Sequence, residues 1–376
     1  MMKQFQANDP GRKAAFYLSR IGFVLYLLGN LIWYWVRNTL AGRVTVFLIL
    51  PLMLAYILVI APLSTSHPTG ETVRLYIPTG ATFRQIADSL EAHRLLHHKR
   101  LFIWLGKLTG KERNARAGMF DIPRGLSTWE LLNYLEKAPN AQIKVTIPEG
   151  ILARRMAGIF QRKLGIDSTR FMSLVYDSAF ARELTGETIE NLEGYLFPET
   201  YFFEWKMPPE QIIRHMVSRT LELFQSPAAR RRLQELGWTP HQVLTLASII
   251  EGEAMVDSER VIISSLYHNR LRLGWPLQAD PTIQFIVPGP PRRLLKKDLE
   301  IDSPYNTYKY PGLPPGPINN PGKKSILAAL YPANTPYLYM VAVGDGSHKF
   351  SRTLKEHNYW HARFNEIRRR VKRRSR

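Results

Sequence analysis

The run TPHQVLTLASIIEGEA, from Thr239 to Ala254, decides how this chain is read. Thr239 followed by Pro240 is a helix start, with a hydroxyl at the N-cap and proline at the first helical position. Val243, Leu244, Leu246, Ala247, Ile249 and Ile250 then cover most of the circumference, so the helix is expected to be buried nearly all round. Glu251 arrives inside that apolar run, one turn after Ala247. A carboxylate in such a place is costly unless it is hydrogen-bonded, neutralised or used. Desolvation raises the pKa of a carboxyl group, which would let it hold a proton near neutral pH and donate it. The competing reading is a paired helix-end glutamate, with Arg260 or Arg270 as partner. Glu253 points in a different direction and reads as a neighbouring polar or solvated group.

Downstream, a second helix is expected from about Asp257 to Leu273, with Gly274 as its stop and Asn269 and Arg270 near its end. Leu277 to Thr282 is a polar turn, and Gly312-Leu313-Pro314-Pro315-Gly316-Pro317 is too rich in proline and glycine for helix or strand. Such a fixed loop commonly displays binding groups. Tyr305, Tyr308 and Tyr310 beside it offer flat faces for sugar rings, or ordinary loop packing.

Upstream lies an internal repeat. Ile77-Pro78-Thr79-Gly80, Ile122-Pro123-Arg124-Gly125 and Ile147-Pro148-Glu149-Gly150 are each followed by apolar residues at matching helical spacing. Each copy predicts a short strand, a glycine turn and a helix, with Thr82 and Ser127 placed to cap the first two helices. The pattern is similar to a LysM-type module, a small fold that binds N-acetylglucosamine polymers, although strand–turn–helix is also a common way to fold.

Val44 to Leu63 carries no charge over a length that would span roughly 30 Å as a helix, the thickness of a bilayer core. Lys3, Arg12, Lys13, Arg20, Arg37 and Arg43 precede it and Ser64 to Val73 holds no Lys or Arg, which places the N-terminus in the cytoplasm and the remainder outside. Ile21 to Val36 is apolar but short; an interfacial helix with Trp33, Tyr34 and Trp35 at headgroup level is preferred to a second span. A net charge of +20 favours anionic partners, and the basic run Arg368 to Arg376 reads as a flexible tail touching anionic lipid or wall polymer. The preceding span puts nucleic acid out of reach. The absence of cysteine excludes a disulfide framework, a thiolate nucleophile and a cysteine zinc site.

The ordered set Glu193-Gly194-Tyr195-Leu196-Phe197-Pro198-Glu199-Thr200-Tyr201, Ala247-Ser248-Ile249-Ile250-Glu251, Glu259-Arg260, Asn269-Arg270-Leu271, Leu277 to Thr282, Tyr305 to Tyr308, Gly312 to Pro317 and His348-Lys349-Phe350-Ser351 resembles the YceG-like family, the endolytic murein transglycosylases. The family usually has Asp at the place of Glu199 and a larger polar residue at Gly252. The resemblance implies Glu251 as the catalytic residue and nascent, uncrosslinked peptidoglycan glycan strands as substrate. It implies internal cuts at the MurNAc-GlcNAc bond that leave 1,6-anhydro-MurNAc ends and limit strand length.

In that scheme Asn269, Gln278, Asp280, Asn306 and Tyr308 are candidates for holding acetamido and hydroxyl groups, and neither metal nor organic cofactor enters. Two alternatives stand beside it. One is a muramidase-type hydrolase, with Asp280 as second carboxylate; the other is a non-catalytic glycan-binding scaffold of the cell-wall synthesis machinery. Partners are glycan strands and membrane lipid, with a peptidoglycan synthase as a candidate and nucleic acid excluded.

The expected fold class is α+β: an N-terminal transmembrane helix, a LysM-like subdomain and a mixed α/β catalytic domain. Boundaries are expected at 1–43 for the cytoplasmic part, 44–63 for the span, 70–141 for the LysM-like subdomain, 142–360 for the catalytic domain and 361–376 for a basic tail. The expected location is the inner membrane, single-pass, with the catalytic domain periplasmic.

Overall fold

The structure, a computed structural model, describes residues 28–60, 71–290 and 292–374. Its first elements are helix α1, Leu28–Asn38, then α2, Leu40–Val44, a π-helical turn at Thr45–Ile49, and α3, Leu50–Ile60. The widened turn comes just before Pro51, whose ring cannot sit over a regular preceding turn. Thr39 caps α2 by accepting from the Gly42 N–H at 2.9 Å, and a Cβ on Gly42 would meet the Trp35 carbonyl oxygen at 2.5 Å. Among the described residues no single helix is long and apolar enough to cross a membrane. The pair Leu28–Asn38 and Leu40–Leu54, bent by 107°, meets that requirement jointly. The expected span and interfacial helix reach beyond these residues, since 21–27 and 61–63 lie outside the described part.

The chain divides into two compact units, Met1–Ala141 and Gln142–Arg376. In the first, strand β1 (Thr72–Ile77) leads to α4 (Phe83–Ala92) and α5 (Lys99–Leu108), then β2 (Gly118–Pro123) and α6 (Thr128–Lys137). β1 and β2 pair antiparallel, with Thr72 opposite Pro123 and Ile77 opposite Gly118. Alternation along both strands sends Leu75, Ile77, Phe120 and Ile122 into a core with Leu90 and Leu135. Thr82 and Ser127 cap α4 and α6 as expected, each in a reciprocal box with Gln85 or Glu130.

The second unit begins with β3 (Gln142–Thr146), α7 (Ala153–Leu164), α8 (Ser168–Val175) and α9 (Ser178–Thr185). It continues with β4 (Thr200–Glu204), α10 (Pro209–Glu222), α11 (Pro227–Leu236), α12 (Pro240–Glu253), α13 (Arg260–Arg272) and α14 (Asp280–Ile286). It closes with α15 (Lys323–Leu330), the hairpin β5 (Tyr339–Ala342) and β6 (His348–Ser351), and α16 (Leu354–Arg374). All three repeat copies form strand, glycine turn and helix, but the third pairs β3 with β4 and so belongs to the second unit.

Helix α12 lies at the centre of this unit, with every residue from Val243 to Ile250 at most 1% exposed, as its apolar circumference requires. It packs on α13, α14 and α15. One boundary differs from the sequence reading. Residues 361–374, expected as a basic tail, continue α16, which packs on β5 and β6 and buries Phe364.

Candidate active site

Capping fixes where α12 begins, and therefore where its last turn delivers Glu251. The Thr239 side chain accepts from the Gln242 N–H, the Gln242 side chain accepts from the Thr239 N–H at 2.9 Å, and Pro240 fills the first turn. After the buried run, Glu251 emerges beneath the start of α15. Its Oε2 accepts three hydrogen bonds or ionic contacts: from the Gly322 N–H at 3.0 Å, the Ser325 hydroxyl at 2.8 Å and the Arg260 guanidinium at 3.2 Å. The Glu251 and Arg260 side chains are each only 9% exposed. Arg260 also donates to Ser325 Oγ at 2.5 Å and contacts Asp257 at 3.2 Å, and Asp257 pairs with Lys324.

The surroundings of Glu251 are therefore not the bare apolar pocket that its own helix suggests. Of the two arginines open as partners in the sequence, Arg260 is the one. Arg270 instead holds the Leu338 and Leu277 carbonyls at 2.8 and 2.6 Å.

A second carboxyl group adjoins this one, on Glu149 in the turn after β3. A Cβ on Gly322 would lie 2.1 Å from the Glu149 carboxyl carbon, and a Cβ on Gly150, which has φ +71°, would lie 3.3 Å from Glu251 Cγ. Gly322 thus has Glu149 against its Cα while its N–H is taken by Glu251. By backbone geometry the two carboxyl groups are no more than about 8 Å apart. Burial pushes Glu149 above the usual carboxylate range and the charge of Glu251 adds to it, opposed by Arg260 and Lys324.

The loop before α15 is locked from both sides. Ser248 Oγ accepts from the Ile318 N–H at 3.0 Å, and Asn319 donates to the Ser248 carbonyl at 2.8 Å. The Asn320 side chain accepts from the Gly194 and Leu196 N–H groups at 2.9 and 3.0 Å and donates to Ile151 O and Glu193 at 3.0 and 2.5 Å. Glu193, buried, accepts from the Ala153 N–H at 3.0 Å and so caps α7, where Leu152 has no side chain to do it. Burial pushes the Glu193 carboxyl up to about 7.

The other expected site residues divide. Gln278 is exposed, with φ +50° and its N–H bound to Thr307 O at 2.9 Å. Asp280, exposed at the start of α14, accepts from the Tyr308 hydroxyl at 2.5 Å. Tyr308 is itself half-buried. Asn269 and Asn306, by contrast, have their side-chain amides bound to protein groups. Asn269 donates to Thr335 O and Tyr337 O at 2.8 and 2.9 Å and accepts from Arg272. Asn306, fully buried, donates to Leu299 O and Ile301 O at 2.9 and 2.7 Å and accepts from the Tyr308 N–H. Buried asparagines of this kind tie loops together.

Of the polar and solvated readings of Glu253, the polar one holds: half-buried, it accepts from the Tyr267 hydroxyl at 3.1 Å and from the Asp280 N–H, and burial with the nearby Asp280 pushes it to about 7. At Gly252 a Cβ would meet the Pro281 ring at 2.7 Å, so a bulky residue there requires α14 to move. In the Glu259-Arg260 pair the roles split, since Glu259 holds the His348 N–H at 2.9 Å and its ring at 2.8 Å, fastening β6.

Sequence reasoning anticipated Arg260 as a partner but missed Glu149, Gly322 and Ser325. A signal existed for Glu149 alone: it stands where the first two repeat copies carry Thr79 and Arg124.

The chain is similar to known proteins over most of its length. The model of the YceG-like family matches residues 75–363. The endolytic murein transglycosylase of Bacillus subtilis (strain 168) is 34% identical over 305 residues, covering 76% of this chain and 83% of that protein. The endolytic murein transglycosylase of Streptococcus pneumoniae (strain R6) is 27% identical over 322 residues, covering 76% of this chain but 57% of that protein. The crystal structure of a YceG-like protein from Listeria monocytogenes superposes with a TM-score of 0.54 at 32% identity, over 77% of this chain and 98% of that one.

Proposed function

Because the chain belongs to the YceG-like family, we propose that it is an endolytic murein transglycosylase, a lyase of the cell envelope, with Glu251 as its catalytic carboxyl group. One observation carries the reading: the end of the buried helix α12 presents a carboxyl group with one oxygen, Oε2, held by three donors. A proton on Oε1 passes to the bridging oxygen between muramic acid and glucosamine, and the C1–O bond breaks. The charge left on Glu251 falls on a carboxylate already supplied with the Gly322 N–H, the Ser325 hydroxyl and Arg260, so no reorganisation is needed at that moment. The oxocarbenium-like sugar is then closed by its own C6 hydroxyl, whose proton returns to Glu251. One C–O bond breaks, one forms, the proton moves from O6 to the leaving oxygen, and no water is consumed. Gln278, Asp280 and Tyr308 are the candidates for holding acetamido and hydroxyl groups.

The first unit supports a LysM-like reading, since β1, α4, α5 and β2 run strand–helix–helix–strand with the strands paired antiparallel. Leu31, Phe47 and Leu52 are 71%, 72% and 61% exposed on the bent N-terminal helices, which suits lipid contact and a membrane anchor. Positive charge ahead of them favours a cytoplasmic N-terminus and an exported catalytic domain. A peptidoglycan synthase is the natural neighbour of an enzyme that cuts strands as they are made.

A hydrolytic reading has one geometric support, because the Glu149–Glu251 spacing of no more than about 8 Å suits a two-carboxyl glycosidase. Mass spectrometry of the ends that the full chain makes from uncrosslinked glycan separates the two. Anhydro ends, lost in Glu251→Gln, are expected; free reducing ends select the hydrolase, and full activity in Glu251→Gln removes the assignment.

A further inference from the structure

The placement of Glu149 has no role in the scheme above, and it is not an accident of a loose loop. Gly150 is left-handed, its N–H donates to Asn320 O at 2.8 Å, and it lies against Glu251 Cγ. Gly322 leaves the gap into which the Glu149 carboxyl fits, a gap that any side chain there would close. From this geometry, and resting on Glu251 as the reacting carboxyl group, we propose that Glu149 is a positioning residue that shares one proton with Glu251 across Gly322 and so keeps the pair singly protonated for the first step.

The charges facing Glu149 come from four places: Glu251 on α12, Asp257 in the 3-10 turn, Arg260 on α13 and Lys324 on α15. With every group ionised, three carboxylates face two cations. Asp257 is engaged by both Arg260 and Lys324. The uncompensated charge therefore falls on the Glu149–Glu251 pair, and a single proton brings the cluster to neutrality. Two nearby carboxyl groups lose their protons in separate steps, the second at a higher pH than either would alone. Three donors on one oxygen, Arg260 among them, favour the ionised form of a lone carboxyl group, which is the wrong form to start the reaction. Glu149 offsets that, while Arg260 and Ser325 remain to receive the charge afterwards.

The test is the pH profile of anhydro-end formation by the full chain. In Glu149→Gln the alkaline limb is expected to move toward acid by about one pH unit, about a tenfold change in proton affinity, with KM little changed. In Glu149→Asp, which keeps the charge, the limb should stay nearer that of the parent. A structural role alone would lower kcat at every pH without moving the limb. An unmoved limb in both variants overturns the proposal.

Should Glu149→Gln be too slow for a profile, 13C-carboxyl NMR titration of the folded variant against the parent reads the same displacement, and an equal midpoint for Glu251 overturns it. Should it fail to fold, Glu149→Ala is titrated in its place, and there too an unchanged midpoint for Glu251 overturns the proposal. Failure of these leaves Glu251 in place, whereas activity in Glu251→Gln removes the reading beneath both.

Discussion

Replacing Ser325 by alanine isolates the receiving end of the proposed reaction. Ser325 is fully buried, donates to Glu251 Oε2 at 2.8 Å and accepts from Arg260 at 2.5 Å. Alanine leaves the first turn of α15 intact and removes one oxygen. Glu251 then keeps the Gly322 N–H and Arg260, and must carry its charge with one donor fewer. A hydrogen bond to a charged group contributes about 1.5–3 kcal/mol, and each 1.36 kcal/mol is a factor of ten in rate, so kcat should fall about 10- to 100-fold. KM should hold, because the hydroxyl is directed at Glu251. The assay is the rate of new anhydro ends on uncrosslinked glycan, with the melting temperature followed in parallel. A folded Ser325→Ala protein with kcat within about twofold of the parent refutes the idea that these donors stabilise the ionised carboxyl group.

Two further outcomes follow from the same geometry. Glu193 and Glu253, both pushed to about 7 from 4.5, bind their protons more tightly folded than unfolded, so their contribution is complete below about pH 4.5 and is lost as pH rises through 7. Stability should therefore decline across that window, by about 3 kcal/mol at most for Glu193, and Glu193→Gln should flatten the decline in melting temperature measured against pH. Asn306→Ala should lower the melting temperature sharply, by about 2–4 kcal/mol of stability, because it strands two carbonyls and the Tyr308 N–H. Its activity per folded molecule should stay near that of the parent; a selective rise in KM would return Asn306 to the substrate side.

What the sequence disclosed was what lies within one element or one short turn. The cap at Thr239, the burial of Val243 to Ile250 and the strand–turn–helix copies all depend on spacing along the chain, and the structure has them where the spacing predicts. The company of Glu251 depends on elements distant in sequence. Ser325 is 74 residues away, and Gly322 shows its purpose only once Glu149 is seen against its Cα. For the same reason the partners of Glu253, Tyr267 and the start of α14, could not be read from its place at the helix end. The loop contacts of Asn269 and Asn306 were likewise illegible, because an asparagine beside a candidate site has the same appearance in sequence whether it holds a ligand or a loop.

The side chain of Asn320 joins Ile151, Glu193, Gly194 and Leu196, and two residues later the backbone N–H of Gly322 reaches Glu251. Stretches more than 100 residues apart must thus all have arrived before the carboxyl group has its setting. A half-made or partly unravelled chain therefore lacks the contacts that hold Glu251 in place. Completion of the fold is thus a condition for assembling that setting, because no single stretch supplies all of its partners.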